Sequence, residues 1–237
     1  MEPVYKRVLI KISGEALGGD AGRGLDFKII DGICDALGKC VAMGVQVAVV
    51  VGGGNIWRGL KDGDGFIERT RADSMGMLAT AINALGVSGA LQKKGIAAEA
   101  MTAVDTGSAA IKYTRDEAVR KLESGCVVVL GCGTGNPFFS TDTAAVLRAA
   151  EIEADIILMA KNVDAVYTAD PKIDPNAKKL DTVTYSQILA DHLSVIDMTA
   201  AALAADVNIP IMLFGVSDPE NICKAVTGLS SGTVIKA

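Results

Sequence analysis

The sequence predicts an α/β protein, a three-layer αβα sandwich built around a mainly parallel central sheet. Three observations carry this. Uninterrupted apolar runs of strand length, such as Val45 to Val51 and Cys126 to Leu130, alternate with segments of helical period. Strands that are apolar throughout belong to a sheet covered by helices on both faces. Two of these runs exit into glycine-rich turns, Gly52-Gly53-Gly54-Asn55 and Gly131-Cys132-Gly133-Thr134-Gly135-Asn136, and in a parallel sheet both would open at the strands' carboxyl edge.

The elements follow in order. Arg7 to Ile12 reads as the first strand. Asp26 to Met43 carries Ile29, Ile30, Ile33, Cys34, Leu37 and Val41 close to helical spacing, and Val45 to Val51 is the second strand. Arg69 to Lys94 is a long helix with Met75, Leu78, Ile82 and Leu85 on one side; the Met75 and Met77 sulfurs read as core filler. Ile96 to Met101 is a strand, Asp116 to Glu123 a helix, 126–130 a strand, 141–151 a helix and Asp155 to Met159 a strand. The last third changes texture. Asp170 to Asn176 is a polar, turn-rich loop; Tyr185 to Asp191 and Thr199 to Asp206 are helical; Pro210 to Phe214 is a strand, Pro219 to Thr227 a helix and Thr233 to Ile235 a closing strand. With no repeat and no low-complexity linker, the chain reads as one compact domain of two lobes, about 1–150 and 151–237.

Bulk properties exclude several function classes. A formal net charge of -5 and 4% aromatics argue against a nucleic-acid surface. No apolar run reaches the ~18 to 20 residues that span a bilayer, and the segment after the N-terminus is interrupted by Lys11, unlike a signal peptide. The five cysteines, Cys34, Cys40, Cys126, Cys132 and Cys223, form no Cys-x-x-Cys pair and suggest free thiols in a reducing compartment. His192 is the single histidine, which all but excludes a histidine-based triad or zinc site.

The chemistry sits at strand exits. Lys11-Ile12-Ser13-Gly14-Glu15 places a lysine at the end of an apolar strand, where it either meets a negative group or snorkels from an edge. Gly52 to Asn55 lets a ligand approach the backbone, or makes a plain tight turn; Arg58 stands near enough to clamp phosphate oxygens. Gly131 to Thr143 lies between a buried strand and a helix start, and its Thr and Ser hydroxyls join free amides in a segment suited to an anion. Asp73 could accept two hydrogen bonds from a ribose diol or serve as a first-turn aspartate; Asp142 could position Lys11 or cap a helix; Asp170-Pro171 after Tyr167 could hold ribose or form a turn. The P-loop and G-x-G-x-x-G signatures are absent, and Asp62-Gly63-Asp64-Gly65 lacks the later ligands of a calcium loop.

Six segments in order resemble the bacterial-type UMP kinases of the amino-acid-kinase family: Lys11 to Leu17, Gly52 to Gly59, Asp73 to Thr80, Gly133 to Asp142, Val163 to Pro171 and Asp197 to Ala200. The Gly133–Asp142 block separates these kinases from acetylglutamate, aspartate and carbamate relatives. The resemblance implies an amino-acid-kinase-like fold, with an acceptor lobe first and an ATP lobe second. It implies that Lys11, Ile12, Ser13, Gly14, Gly54, Arg58, Asn162, Tyr167 and Asp170 meet ATP. It places UMP among Gly53, Asp73, Thr134, Gly135, Asn136, Pro137, Phe138, Phe139, Ser140 and Thr141, with Lys11, Arg58 and Asp142 catalytic. Gly19, Asp20, Ala21, Gly22, Arg23 and Gly24 match the segment associated with GTP activation. UTP inhibition, Mg²⁺ carried by ATP and a cytoplasmic homohexamer are further implications. The chain departs from the pattern at Ala165, where glycine is usual, and at Lys161-Asn162-Val163, one residue shorter than the common version.

Overall fold

The computed structural model describes residues 2–58, 65–161, 163–169, 173–174, 176–190, 193, 195–216, 218–230 and 232–237. The chain runs β1 (Arg7–Ile12), α1 (Gly14–Leu17), a 3-10 turn (Gly19–Ala21), α2 (Phe27–Ala42), β2 (Gln46–Val51), α3 (Arg69–Lys93), β3 (Ala98–Thr102), β4 (Ile111–Lys112), α4 (Arg115–Glu123), β5 (Val127–Gly131) and α5 (Thr141–Glu151). It continues through β6 (Ile156–Lys161), β7 (Val166–Tyr167), β8 (Lys179–Leu180), β9 (Thr182–Thr184), α6 (Tyr185–Ala190), α7 (Met198–Val207), β10 (Ile211–Gly215), α8 (Glu220–Val226) and β11 (Thr233–Lys236).

Nine of these strands form one sheet in the order β4-β3-β5-β2-β1-β6-β10-β11-β9, while β7 and β8 pair apart as an antiparallel ribbon. Every neighbouring pair in the large sheet is parallel except β10–β11. The strands carry a separate core on each face. Val8, Ile10 and Ile12 of β1 face α2, α3 and α8, whereas Leu9 faces α5 and α7. This two-residue alternation puts Lys11 on the same face as Leu9, toward α5. The expected sandwich is therefore present, with both layers of helices buried against it. Each fully buried Val, Leu or Ile in these cores contributes about 1.5–3 kcal/mol.

Helix starts are fixed by side chains. Asp26 accepts from the backbone amides of Lys28 and Ile29 at α2, Thr114 from Glu117 at α4, Ser140 from Asp142 and Thr143 at α5, and Asp197 from Ala200 at α7. The last two caps matter for the site, because they anchor the segments that border it.

Helix α3 differs from its sequence reading. Its inner face is Ala79, Ala84, Val87 and Leu91, while Leu78, Ile82 and Leu85 point outward at 52%, 52% and 39% exposure. By length and composition α3 could cross a bilayer; polar Thr80, Asn83 and Ser88 break its apolar run, yet all three are buried against the protein. It is a core helix pressed close to β5: a Cβ on Gly131 would meet Ala81 Cα at 3.1 Å.

Candidate active site

Parallel pairing brings the carboxyl ends of β1, β2, β5 and β6 to one edge. Register sets Lys11 beside Val50 and Met159, and Lys161 beside Gly215. Lys11 Nζ lies 2.9 Å from Asp142 Oδ1, and Lys161 Nζ donates to Asp142 Oδ2 at 2.7 Å and to the Val195 carbonyl at 2.6 Å. Asp142 Oδ1 is buried, with the Lys11 ammonium as its ion-pair neighbour and no further partner among the described residues. Burial would raise the Asp142 carboxyl, but the two ammonium groups outweigh it and hold it below its ordinary value. Burial pushes the Lys161 ammonium down, and Lys11 adds to this; Asp142 offsets only part. The three groups form a largely buried cluster of two positive charges and one negative, and Asp197 adds a second negative charge on the Lys161 side. An anion arriving at the strand ends meets the two ammonium groups.

In the sequence Lys161 stands out only as part of the shortened Lys161-Asn162-Val163 segment. Its signal was the same as that of Lys11: a lysine closing an apolar strand at the sheet's carboxyl edge.

The glycine loops pack on one another. A Cβ on Gly14 would meet Asn55 Oδ1 at 2.5 Å and Gly54 N at 2.6 Å, and one on Gly52 would meet Gly14 N at 2.7 Å. Glycine is needed at both positions because two backbone segments approach within atomic contact. Asn55 and Asn83 exchange hydrogen bonds at 3.0 and 2.7 Å, and Asn83 also donates to the Gly52 carbonyl at 2.6 Å, so buried amides lock the loop to α3. Ser13 is engaged as the cap of α1, and the Ile12 side chain lies in the core, which leaves Ile12 only its backbone to offer a ligand. Arg58 donates from Nε to the Gly54 carbonyl at 3.0 Å and pairs with Glu15 at 3.3 Å, remaining near half exposed.

A cleft opens between this loop, α3 and the 133–141 segment. Gly53, Gly54, Asp73, Thr134, Asn136, Phe139 and Thr141 line it, as do Trp57, Met77, Thr80 and Gly133. Met77 is thus a wall of the cleft rather than filler. Trp57 is fixed by donating Nε1–H to the Ala72 carbonyl at 2.9 Å, and Thr80 Oγ1 accepts from the Cys132 amide at 2.6 Å. Gly135, Pro137, Phe138 and Ser140 do not line the cleft. The Gly135 amide donates back to the Cys132 carbonyl at 2.9 Å. Phe138, at φ 73°, is largely exposed; its N–H donates to Asp73 Oδ2 at 2.8 Å and its ring lies 5.2 Å from the Arg69 guanidinium. Arg69 Nε donates to the same Asp73 oxygen at 2.9 Å. Ser140 caps α5 and donates to Asp197, which also accepts from Thr143 Oγ1 at 3.1 Å.

Other expected residues lie apart or outside. Gly19, Gly22 and Gly24 all take left-handed backbone angles, and Gly24 N–H donates to the Asn55 carbonyl at 2.9 Å, so the 19–24 segment abuts the 52–55 loop. Ala21, Gly22 and Arg23 share a second cleft with Gly54, Asn55 and Arg58. Tyr167 lies on the β7–β8 ribbon, where its hydroxyl donates to Asp164 Oδ1 at 2.9 Å. Asn162 and Asp170 lie outside the described residues, as do Pro171, His192 and 62–64. The five cysteines are free thiols, and burial raises Cys132 above its ordinary value, which makes it a poor nucleophile. Among the described residues no group of three or more His, Cys, Asp and Glu could hold a metal.

Comparison with known proteins agrees with this geometry. The amino acid kinase family model matches residues 6–215. The chain is similar to the UMP kinase of Bacillus anthracis, at 38% identity and TM-score 0.94, over 98% of this chain and 96% of that one. It is similar to the UMP kinase of Ureaplasma parvum at 35% and 0.93, over 98% and 99%, and to the uridylate kinase of Archaeoglobus fulgidus at 30% and 0.73, over 96% and 99%. With a parallel sheet of this order, a lysine pair on a buried aspartate at its carboxyl edge and likeness along nearly its whole length, the chain belongs to the amino acid kinase family.

Proposed function

We propose that the chain is a UMP kinase, transferring the γ-phosphate of ATP to UMP to give UDP and ADP, a step toward CTP. The observation that carries this is the cleft itself: Gly53, Asp73, Thr134 and Thr141 border one cavity, and Asp142, which follows Thr141 directly, belongs to the Lys11–Lys161 cluster. UMP lies in that cleft, its ribose on Asp73 and its phosphate toward the 133–141 loop. The remaining members of that loop, Gly135, Asn136, Pro137, Phe138, Phe139 and Ser140, shape it or fold onto the uracil. ATP approaches from the Lys11–Gly14, Gly54 and Arg58 side, with Asn162, Tyr167 and Asp170 toward its nucleoside. The chain accordingly divides into an acceptor lobe, about 1–150, and an ATP lobe, 151–237.

A phosphate oxygen of UMP is already anionic near neutral pH, so the reaction needs no general base. The protein's task is to hold two phosphate groups in line and offset charge moving toward the bridging oxygens. Lys11, Lys161 and Arg58 supply positive charge, the loop amides supply fixed donors, and Asp142 keeps the two ammonium groups in place. Mg²⁺ bound to ATP would offset part of the charge on its phosphates.

The regulatory and assembly readings belong to the same proposal. GTP activates at the 19–24 segment, which reaches the 52–55 loop through Gly24 and Asn55, and UTP inhibits. The enzyme is a cytoplasmic homohexamer. Supporting assembly, Leu78, Ile82 and Leu85 of α3 and Phe27 of α2 are exposed apolar side chains, and Gly89, one turn beyond Leu85, faces open space where a second copy could approach. Light scattering on Leu85→Asp should show smaller particles than the parent; equal mass would remove this face from the assembly.

The deciding experiment measures ADP release with UMP, CMP, AMP and acetylglutamate as acceptors. UMP should be preferred over the other three. Equal rates with CMP, or turnover only with acetylglutamate, would overturn the assignment.

A further inference from the structure

Behind the acceptor loop lies a group that the mechanism has not used. Arg148 of α5 is only 6% exposed, an unfavourable place for a guanidinium unless its donors are engaged. Its Nη1 donates to Glu151 Oε2 at 2.6 Å. Its Nη2 is shared between the carbonyls of Gly133 and Thr134, each at 3.4 Å. The guanidinium carbon lies 4.1 Å from the centre of the Tyr113 ring, and the Tyr113 hydroxyl donates to the same Glu151 oxygen at 2.7 Å. Arg148 is therefore stacked on one side, neutralised by Glu151 and turned toward two backbone oxygens of the loop.

We propose that Arg148 is a positioning residue for the acceptor site: it holds the Gly133 and Thr134 carbonyls behind the loop, so that the Thr134 amide faces the cleft. In a trans peptide the C=O of one residue and the N–H of the next point in opposite directions. Fixing the Gly133 oxygen on Arg148 thus turns the Thr134 N–H the other way, and both residues border the cleft. The loop needs such a clamp. Cys132, Gly133 and Gly135 all have left-handed backbone angles, and glycines on either side of Thr134 let its peptides rotate at little cost. Because Glu151 neutralises the guanidinium, Arg148 acts through loop geometry rather than as a charge felt by substrate. The proposal rests on the reading that UMP phosphate meets this loop.

The test is a set of steady-state and binding measurements on the full-length enzyme. Arg148→Gln should raise the UMP KM and calorimetric Kd about tenfold, the worth of one lost hydrogen bond to a charged group. The ATP KM should stay unchanged and kcat should move far less. Arg148→Lys, which reaches a carbonyl but cannot stack, should recover part of the loss. A merely structural role would instead lower thermal stability and shift both KM values or neither. If Arg148→Gln does not fold, Tyr113→Leu, which removes the stacking platform, takes its place and should raise the UMP KM, whereas Tyr113→Phe should leave it near the parent value. A folded Arg148→Gln or Tyr113→Leu enzyme with an unaltered UMP KM overturns the proposal. Hydrogen exchange of 133–136 in the parent enzyme separates the two levels. No protection by UMP would sink the acceptor-site reading and this proposal with it; protection without a KM effect in the variants would sink the proposal alone.

Discussion

The two ends of the site are built on opposite principles. At the strand ends, the Lys11 and Asp142 side chains are 8% and 11% exposed and are held by each other and by Lys161. At the nucleoside end, Arg69 is 43% exposed, Phe138 and Phe139 are 63% and 51% exposed, and among the described residues Asp73 is held by Arg69 and a loop amide on one oxygen only. The first end is a preset charge arrangement in a dry setting, where electrostatic interactions are strong and need no rearrangement at the moment of reaction. The second is open, with an Asp73 oxygen that no described residue bonds and two exposed aromatic rings beside it, one of them resting on Arg69. The difference teaches a division of labour: substitutions at the buried end should act on kcat, and those at the open end on UMP affinity.

The largest expected effects break the buried end. Lys11→Ala removes a preorganised donor and should lower kcat by about 10²- to 10³-fold with little change in UMP binding. Asp142→Asn should do as much and also destabilise the fold by about 3 kcal/mol, because it removes the carboxylate paired with both buried ammonium groups. Rapid-quench kinetics and thermal melts measure the two components. An Asp142→Asn enzyme with parental kcat and a raised UMP KM would erase the distinction between the ends.

The open end should respond differently. Asp73→Asn loses charge-assisted hydrogen bonds to the ribose, worth about 1.5–3 kcal/mol, so UMP affinity should fall roughly 10- to 100-fold while kcat at saturation changes little. The same substitution frees Arg69 and the Phe138 amide, which loosens the loop that carries both rings. Calorimetry with UMP gives the affinity directly; a collapse of kcat with unchanged affinity would move Asp73 into the reaction centre.

The unequal legibility of the sequence follows the same division. The long elements read well because apolar runs and helical period report burial: β1, β2, β5, β6 and the helices from α2 to α8 fall within a few residues of expectation. The two-residue strands β4, β7 and β8 did not read, because β4 is exposed and the short β7–β8 ribbon is tied down by Thr233, which accepts from the Val166 amide and donates to the Leu180 carbonyl. Helix α3 was found but its outer side was not, since it is apolar nearly all round and period alone cannot choose a face. At the site, Lys11 and Asp142 could be named from the chain, yet their contact depends on α5 packing against β1, and the part of Lys161 depends on β1 and β6 lying side by side although about 150 residues separate them. Arg148 was invisible for the same reason: nothing local marks an arginine whose partners are a ring and two carbonyls.

The smallest effect expected is in pH dependence, and it sharpens the contrast. Lys161 has its proton affinity lowered below the ordinary lysine value of 10.5 by burial, and by Lys11. Its charge is therefore lost earlier on the alkaline side than that of an exposed lysine, and kcat should fall at a pH below 10.5. In Lys161→Arg, whose guanidinium keeps its charge across this range, that limb should move to higher pH. The unfolded chain binds the extra proton in the window between the folded value and 10.5, so stability should rise with pH there. Asp142 behaves oppositely. Its folded value lies below 3.8, so its stabilising contribution is complete above 3.8 and is lost only as pH falls through the lower folded value. An acid limb near pH ~6 is then not that of Asp142 and fits the second ionisation of a substrate phosphate, by analogy with phosphorylated side chains. Profiles of kcat and of kcat/KM for UMP distinguish these groups. An alkaline limb that stays in place in Lys161→Arg would show that Lys161 serves only to hold Asp142, and would leave Lys11 as the strand-end charge that meets the phosphates.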